Sequence, residues 1–155
     1  ALFDDLEASY VTLFINARGG LTAPLYQSCY AETIDAPPVG SIMGAPARMM
    51  QRRLAAEDLS MDHSSNEPPD HLAIELEYLY FLLQKGWMGN DPGRLTEAAA
   101  FVKTELLGWV PRFEECLRAA APNSFYALNA AVLVAVLQRI AACGSSPDYI
   151  GEEPR

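Results

Sequence analysis

The sequence has few of the residues that build metal centres and disulfide frameworks. Its 155 residues include two histidines and three cysteines, and the cysteines lie far apart, at Cys29, Cys116 and Cys143. Without a C-x-x-C pair they indicate neither a disulfide framework nor a zinc knuckle. Cys116 and Cys143 lie within apolar helical patterns, so we expect both to be buried. This cysteine usage favours a reducing, cytoplasmic location.

Basic residues are also scarce. There are 11 lysines and arginines against 20 aspartates and glutamates, which gives a formal net charge of −9. A surface of this sign repels phosphates, which argues against DNA or RNA as a partner. It favours a basic peptide or a cation instead. The alternative is that the charge only keeps the protein soluble.

Long apolar runs and several catalytic motifs are missing as well. The apolar run from Ala130 to Val136 is too short to span a membrane, and no signal peptide is visible, so we predict no stable membrane insertion. There is no G-x-S-x-G, and the glycines of "GSIMGAP" are not followed by a Lys-Ser/Thr pair. The chain begins at Ala1 within a helical pattern and without Met, so we expect that an N-terminal piece is absent from it.

Alternating strand patterns are lacking too, and helical periodicity dominates. The apolar spacing predicts helices from the start of the chain to Gly19, over 45–58, from Pro69 to about 85, over 95–120 with a bend at Pro111, and over 123–143. Half of the residues are hydrophobic, which is enough for one core. We predict an all-α, single-domain bundle of about five or six helices over residues 1–155, with a loose tail after about 145.

Two of these helices carry specific predictions about burial. The helix over 45–58 should place Met49, Met50 and Leu54 on its inner side. The last helix is apolar on nearly all sides, so we expect it to lie buried in the middle of the bundle.

The stretch "EPPDH" combines charge and helix-start signals at the beginning of the central helix. Pro69 suits the first helical position, where its missing N–H costs nothing. Asp70 would then lie in the first turn, where the helix dipole favours a carboxylate by about 0.3–1 kcal/mol. A plain helix start therefore accounts for Asp70 but leaves Glu67 and His71 unexplained.

Two functional interpretations of this stretch stay open beside the structural one. His71 and Glu75 share a helix face, and with His63 and Glu67 they could form a metal-dependent hydrolase site. A zinc site of the H-E-x-x-H kind would need two histidines at that spacing, which weakens this interpretation. Alternatively, the carboxylates of Glu67 and Asp70 form an acidic rim that pairs with arginine side chains of a partner.

Aromatic residues could supply the apolar walls of such a docking groove. Tyr26, Tyr30, Tyr78 and Tyr80 are candidates, because tyrosine has an apolar ring and a polar end. Two of them belong to "PLYQSCY", which runs from Pro24 to Tyr30. The alternative is that this segment is a packed turn whose tyrosines are core residues with satisfied hydroxyls.

The ordered set of motifs resembles the TorD/DmsD family of molybdoenzyme maturation chaperones. "EPPDHLAIELEYLYFLL" is similar to the family's E-P-x-D-H-L…E-L-E-F segment. In order along the chain, the other similar segments are "YVTLFINARGG", "PLYQSCY", "LLGWVPRFEECL" and "SFYALNAAVLVAVL". The resemblance extends from about Leu6 to Ile140.

The resemblance implies an all-helical cytoplasmic chaperone and not an enzyme. Its partners would be the twin-arginine leader and the apo-form of a molybdoenzyme of the TMAO or DMSO reductase type. It would delay export and assist insertion of molybdopterin guanine dinucleotide. No cofactor would be bound permanently, although transient contact with that cofactor or with a guanine nucleotide is implied. The motif match assigns leader recognition to Asp70 and His71, then Glu67 and Pro69, then Tyr26, Ser28 and Tyr30.

One departure from the family pattern bears on assembly. The family's N-terminal helices have no counterpart in this sequence, so we expect either a fragment or a fold completed by a second copy, as a monomer or a homodimer. The motifs do not say which reductase is the partner.

Overall fold

The computed structural model describes residues 2–15, 22–30, 43–60 and 67–143, and they form an all-α architecture. The α-helices are α1 (Leu2–Tyr10), α2 (Ala45–Ala56), α3 (Leu72–Met88), α4 (Pro92–Phe101), α5 (Leu107–Ala120) and α6 (Phe125–Cys143). A π-helical turn extends α1 over Val11–Ile15, another joins α4 to α5 over Val102–Leu106, and Gln27–Tyr30 is a 3-10 turn. Within these ranges there is no strand, and a single β-bridge joins Tyr26 to His71. The predicted all-helical fold is confirmed.

The core lies where α3, α4 and α5 meet. α3 buries the apolar residues Leu79 and Leu82 on one face. The joined helices α4 and α5 bring Phe101, Trp109 and Phe113 against them, all at most 3% exposed. α3 and α4 can approach closely because Gly86 has no side chain and Leu95 packs directly over it.

The start of α3 differs from the sequence prediction. The helix begins at Leu72, and His71 is its N-cap, with an extended backbone and a side chain that accepts from the backbone N–H of Ala73. Pro69 and Asp70 therefore precede the helix, and the prediction that Pro69 is the first helical residue is wrong. The physical reason is that Asp70 is held by another segment of the chain instead of by the helix end.

Other helix boundaries agree within a few residues. The sequence predicts a helix over 45–58, and α2 spans Ala45–Ala56, with Met50 and Leu54 buried as expected, but Met49 is 45% exposed. α4 begins at Pro92 because Asp91 caps it, accepting hydrogen bonds from the backbone N–H groups of the first turn. The irregular backbone predicted at Pro111 occurs before it, in the π-helical turn over Val102–Leu106.

The last helix is the largest departure in packing. α6 is apolar as the sequence indicates, but the prediction that it lies buried in the bundle is wrong. Phe125, Leu128, Val132 and Val136 are about half exposed or more, and they form one continuous helix face. The opposite face, with Ala127, Ala130 and Leu137, is the one that packs on the core.

α6 also bears on the membrane prediction. It is long and apolar enough to cross a membrane by length and composition, and 17% of its apolar window is buried. The run-length argument from the sequence missed this, because it counted only uninterrupted apolar residues, and Asn129 and Gln138 interrupt the apolar sequence of this helix. One helix of this kind is weak evidence for a membrane span, since core helices have the same composition.

Cysteine burial follows the sequence prediction only in part. Cys116 is partly buried, whereas Cys143 is exposed at the end of α6, so its predicted burial is wrong. Cys29 is buried in the 3-10 turn. The predicted helix end at Gly19, His63 and the tail after 145 lie outside the described residues.

Candidate functional site

The segment around Tyr26 and the start of α3 are bound together by backbone hydrogen bonds. The N–H of Gln27 donates to the carbonyl of Asp70 at 3.0 Å, and the N–H of Leu72 donates to the carbonyl of Leu25 at 2.8 Å. These bonds form the bridge between Tyr26 and His71. The two motif segments that the sequence analysis singled out are therefore neighbours in the fold.

Asp70 is the residue that fixes this junction. Its side chain is fully buried, and Oδ2 accepts from the backbone N–H of Ser28 at 2.8 Å and from the Ser28 hydroxyl. The same hydroxyl accepts from the N–H of Gly44 at 3.1 Å, so one carboxylate organises three chain segments. Because no surface of Asp70 is exposed, it cannot form the direct contact with a partner arginine that the docking interpretation gave it. Its place in the site is that of a positioning residue.

Three more of the residues assigned from the motifs serve packing. Pro69, Ser28 and Tyr30 are buried, and the Tyr30 hydroxyl donates to the carbonyl of Pro24 at 2.9 Å. The alternative interpretation of "PLYQSCY", a packed turn with satisfied hydroxyls, is therefore correct for Tyr30. None of the three offers a surface to a peptide.

Glu67, Tyr26 and His71 form the exposed side of the junction. The Tyr26 hydroxyl donates to Oε2 of Glu67 at 2.8 Å, and the Tyr26 ring meets the His71 ring edge-on, with centroids 5.1 Å apart. Burial and the neighbouring Glu67 carboxylate raise the pKa of Tyr26 to about 12, so the hydroxyl stays a donor. Glu67 itself is exposed and keeps its carboxylate at the surface.

His71 is neutral near pH 7. Burial lowers its pKa, and the carboxylates of Glu67 and Asp70 oppose this shift. Its Nδ1 accepts from the N–H of Ala73 at 3.1 Å, so the single ring proton of the neutral form lies on Nε2. His71 can therefore donate one hydrogen bond to a ligand without cancelling the negative charge of Glu67.

An open groove of about 420 Å³ starts at this junction and runs along α3. Its apolar lining consists of Leu54, Leu59, Ala73, Ile74, Tyr78 and Phe81. Its polar lining consists of Ser60, Glu67, His71 and Glu77. The groove thus combines an apolar floor with carboxylates, which suits a peptide that is partly basic and partly apolar.

Sequence reasoning missed Glu77 as a site residue. Glu77 is exposed on α3, six residues after His71, which places it about 9 Å farther along the helix axis. Its spacing from Ile74 and Phe81 is three and four residues, so the helical period assigns all three to one face. That periodicity is visible in the sequence and could have identified it.

Of the two tyrosines on α3 that the sequence suggests as groove walls, Tyr78 borders the groove but is only 3% exposed. Tyr80 is 64% exposed and is not part of the lining. Their i, i+2 spacing puts them on different sides of one helix.

The outer wall of the groove is held by an ion pair between helices. Arg94, in the first turn of α4, donates to both oxygens of Glu57 at the end of α2, at 2.5 and 3.1 Å. Asp58 follows with a left-handed backbone (φ 54°). The N–H of Leu59 then donates a hydrogen bond to the carbonyl of Leu54 at 2.9 Å. This turn brings Leu59 back over the groove.

The metal interpretation finds no ligand cluster among the described residues. Glu75 is 1% exposed, and its Oε2 accepts from Nε1 of Trp109 at 3.0 Å. Burial is the main cause that raises the pKa of Glu75 to about 8, the Asp70 and Glu105 charges add to it, and the Trp109 bond opposes it. A protonated, inward-facing Glu75 is not a metal ligand beside His71.

The family comparison covers most of the chain. The family described as "Nitrate reductase delta subunit" matches residues 1–115, which include the junction, the groove and most of α5.

Curated relatives and one solved structure agree with this match. The TorD chaperone of Vibrio cholerae is 29% identical over 143 residues, 90% of this chain and 62% of its own length. The TorD chaperone of Vibrio vulnificus is 31% identical over 150 residues, 94% of this chain and 64% of its own length. A redox enzyme maturation protein of Archaeoglobus fulgidus has the same fold, with a TM-score of 0.59 and 23% identity over 87% of this chain and 67% of its own. The chain thus spans less than two thirds of the length of these two curated relatives.

Proposed function

Because the chain belongs to the nitrate reductase delta subunit family, whose curated relatives here are TorD chaperones, we propose that it is a maturation chaperone for a redox enzyme. In this proposal it is a binding protein and not an enzyme. Its partner is the apo-form of a molybdoenzyme, which it recognises through the twin-arginine leader.

The observation that carries the proposal is the groove along α3 with Glu67 at its end. A twin-arginine leader has two guanidinium groups followed by an apolar run, and the groove has the complementary chemistry in one continuous surface. Exposed Glu67 can accept two hydrogen bonds from one guanidinium, a geometry that lysine cannot reproduce. The Nε2–H of His71 is available to a backbone carbonyl of the leader.

The later steps of the proposal are supported by family membership alone. The chaperone holds the leader in the cytoplasm, which delays export while molybdopterin guanine dinucleotide enters the partner enzyme. We assign no described residue to a nucleotide, so contact with the cofactor or with a guanine nucleotide rests on the family resemblance. The choice between monomer and homodimer stays a prediction.

Calorimetry with the intact chain and synthetic leaders tests the proposal. A leader with Arg-Arg should bind, and the same leader with Lys-Lys should bind several-fold more weakly. Glu67→Gln should lower the affinity for the Arg-Arg leader roughly two- to fivefold, the range expected for an exposed ion pair. Glu115→Gln, an exposed carboxylate on α5 away from the groove, is the matched control and should bind like the parent. Equal binding of the two leaders, or no binding of either, would overturn the proposal.

A further inference from the structure

The groove contains a second exposed carboxylate, Glu77, that neither the motif match nor the family assigns to any role. We infer that Glu67 and Glu77 each take one arginine of an extended leader, with the first arginine at Glu67 and the second at Glu77. This inference rests on the proposed function and adds to it the conformation and the direction of the bound peptide.

The two carboxylates lie at separate positions along the groove. Glu67 is beside His71, because both contact Tyr26. Glu77 is about 9 Å farther along α3 than His71, toward Phe81. A single guanidinium cannot contact both carboxylates across that distance, so each carboxylate takes its own arginine.

Neighbouring arginines in an extended peptide match this separation. The Cα atoms of adjacent residues are about 3.8 Å apart, and two long side chains that splay along the groove can place their charged ends on the order of 10 Å apart. Two adjacent arginines can therefore reach both carboxylates, one each.

The apolar floor sets the direction of the peptide. Phe81, which is partly exposed, lies at the Glu77 end of the groove, beyond the polar junction of Glu67 and His71. In a twin-arginine leader the apolar run follows the arginines. The chain must therefore pass Glu67 first and Glu77 second to place its apolar run on Phe81.

The local electrostatics suit both carboxylates to this role. Glu77 has no ion pair to another described residue. Glu67 is exposed at the groove, and the Tyr26 hydroxyl that donates a hydrogen bond to it carries no charge. His71, between them, is neutral near pH 7, so it does not compete with a partner arginine.

A double-mutant cycle by calorimetry tests the assignment. The parent chain, Glu67→Gln and Glu77→Gln are each titrated with three leaders: Arg-Arg, Gln-Arg and Arg-Gln. Glu77→Gln should bind Arg-Arg and Arg-Gln equally, and Glu67→Gln should bind Arg-Arg and Gln-Arg equally. The affinity of the parent chain should fall about two- to fivefold when either arginine of the leader is replaced by glutamine.

The outcomes separate this inference from the proposed function. If Glu67→Gln weakens binding but Glu77→Gln binds all leaders like the parent, the assignment of Glu77 is wrong and the leader-binding proposal stands. If Glu77→Gln binds Arg-Arg and Gln-Arg equally, Glu77 contacts the first arginine instead of the second. The peptide then runs in the opposite direction, and the inference fails. If the parent binds no leader, both fail. Glutamine keeps the side-chain size, and Glu115→Gln serves again as the control.

Discussion

At the scale of single residues, Glu67 and Asp70 have opposite environments although only two prolines separate them. Glu67 is exposed at the groove, whereas Asp70 is fully buried on Ser28. The sequence marks both as acidic residues near a helix start, which is why the docking interpretation treated them alike. The difference arises from Ser28, a partner 42 positions away in the chain, and spacing along α3 cannot reveal it.

Asp70→Ala should therefore act on stability before it acts on binding. It leaves the N–H and the hydroxyl of Ser28 without their acceptor, and we expect a loss of about 3 kcal/mol in the free energy of unfolding. Asp70→Asn keeps one oxygen acceptor and should lose less. Urea denaturation followed by circular dichroism measures both variants. An unchanged free energy of unfolding together with lost leader binding would show that Asp70 contacts the leader directly.

The buried Glu75 should give the protein a characteristic pH dependence. Burial raises the pKa of Glu75 from 4.5 to about 8, so the folded state holds a proton that the unfolded state releases between these values. The contribution of Glu75 to the free energy of unfolding is therefore fully present below about pH 4.5 and is lost as the pH rises toward 8. The free energy of unfolding falls by at most about 1.4 kcal/mol per pH unit from this group.

Glu75→Gln is the variant that isolates this contribution. Its amide oxygen can still accept from Trp109, but the side chain no longer titrates. We expect the free energy of unfolding of the variant to fall less between pH 5 and pH 8 than that of the parent. Parallel pH profiles for the two proteins would contradict a buried, protonated Glu75.

At the scale of elements, the tight contact between α3 and α4 depends on one glycine. A Cβ at Gly86 would lie 2.4 Å from Cδ2 of Leu95 and 3.2 Å from its backbone nitrogen, so Gly86→Ala should cost about 1–3 kcal/mol. Gly108→Ala is the matched control, because Gly108 lies in α5 and a Cβ added there would meet nothing within 4 Å. That change should stabilise by up to about 1 kcal/mol. Equal effects of the two variants in urea denaturation would contradict this packing.

The helices themselves were predictable to the extent that periodicity determines them. α2 and α6 agree with the predicted spans within two residues, because their apolar spacing and the residues that flank them mark both ends. The start of α3 was missed because the hydrogen bonds that Ser28 donates to Asp70 outweigh the preference of Pro69 for the first helical position. The exposure of α6 was missed because an apolar helix pattern indicates that a face can be buried, not what covers it.

At the scale of the whole molecule, the charge of −9 should influence how a basic leader approaches. Attraction between exposed charges is screened over about 8 Å at physiological ionic strength and over shorter distances at higher salt. We expect the affinity for the Arg-Arg leader to fall steadily as NaCl rises from about 0.05 to about 0.5 M. A Gln-Gln leader, measured by the same calorimetry, should show a much weaker dependence. Equal salt dependence of the two affinities would show that electrostatic attraction to the arginines does not contribute to leader binding.

The most direct test of the central claim, that the groove along α3 holds the leader, is site-specific photocrosslinking. Ala73 is exposed and lines the groove, while Ala100 is exposed on α4 and does not. Each is replaced in turn by benzoylphenylalanine, and the protein is irradiated with a labelled Arg-Arg leader. We predict a crosslink from position 73 that excess unlabelled leader suppresses, and none from position 100. Equal crosslinking from the two positions, or a crosslink from position 100 alone, would contradict the account.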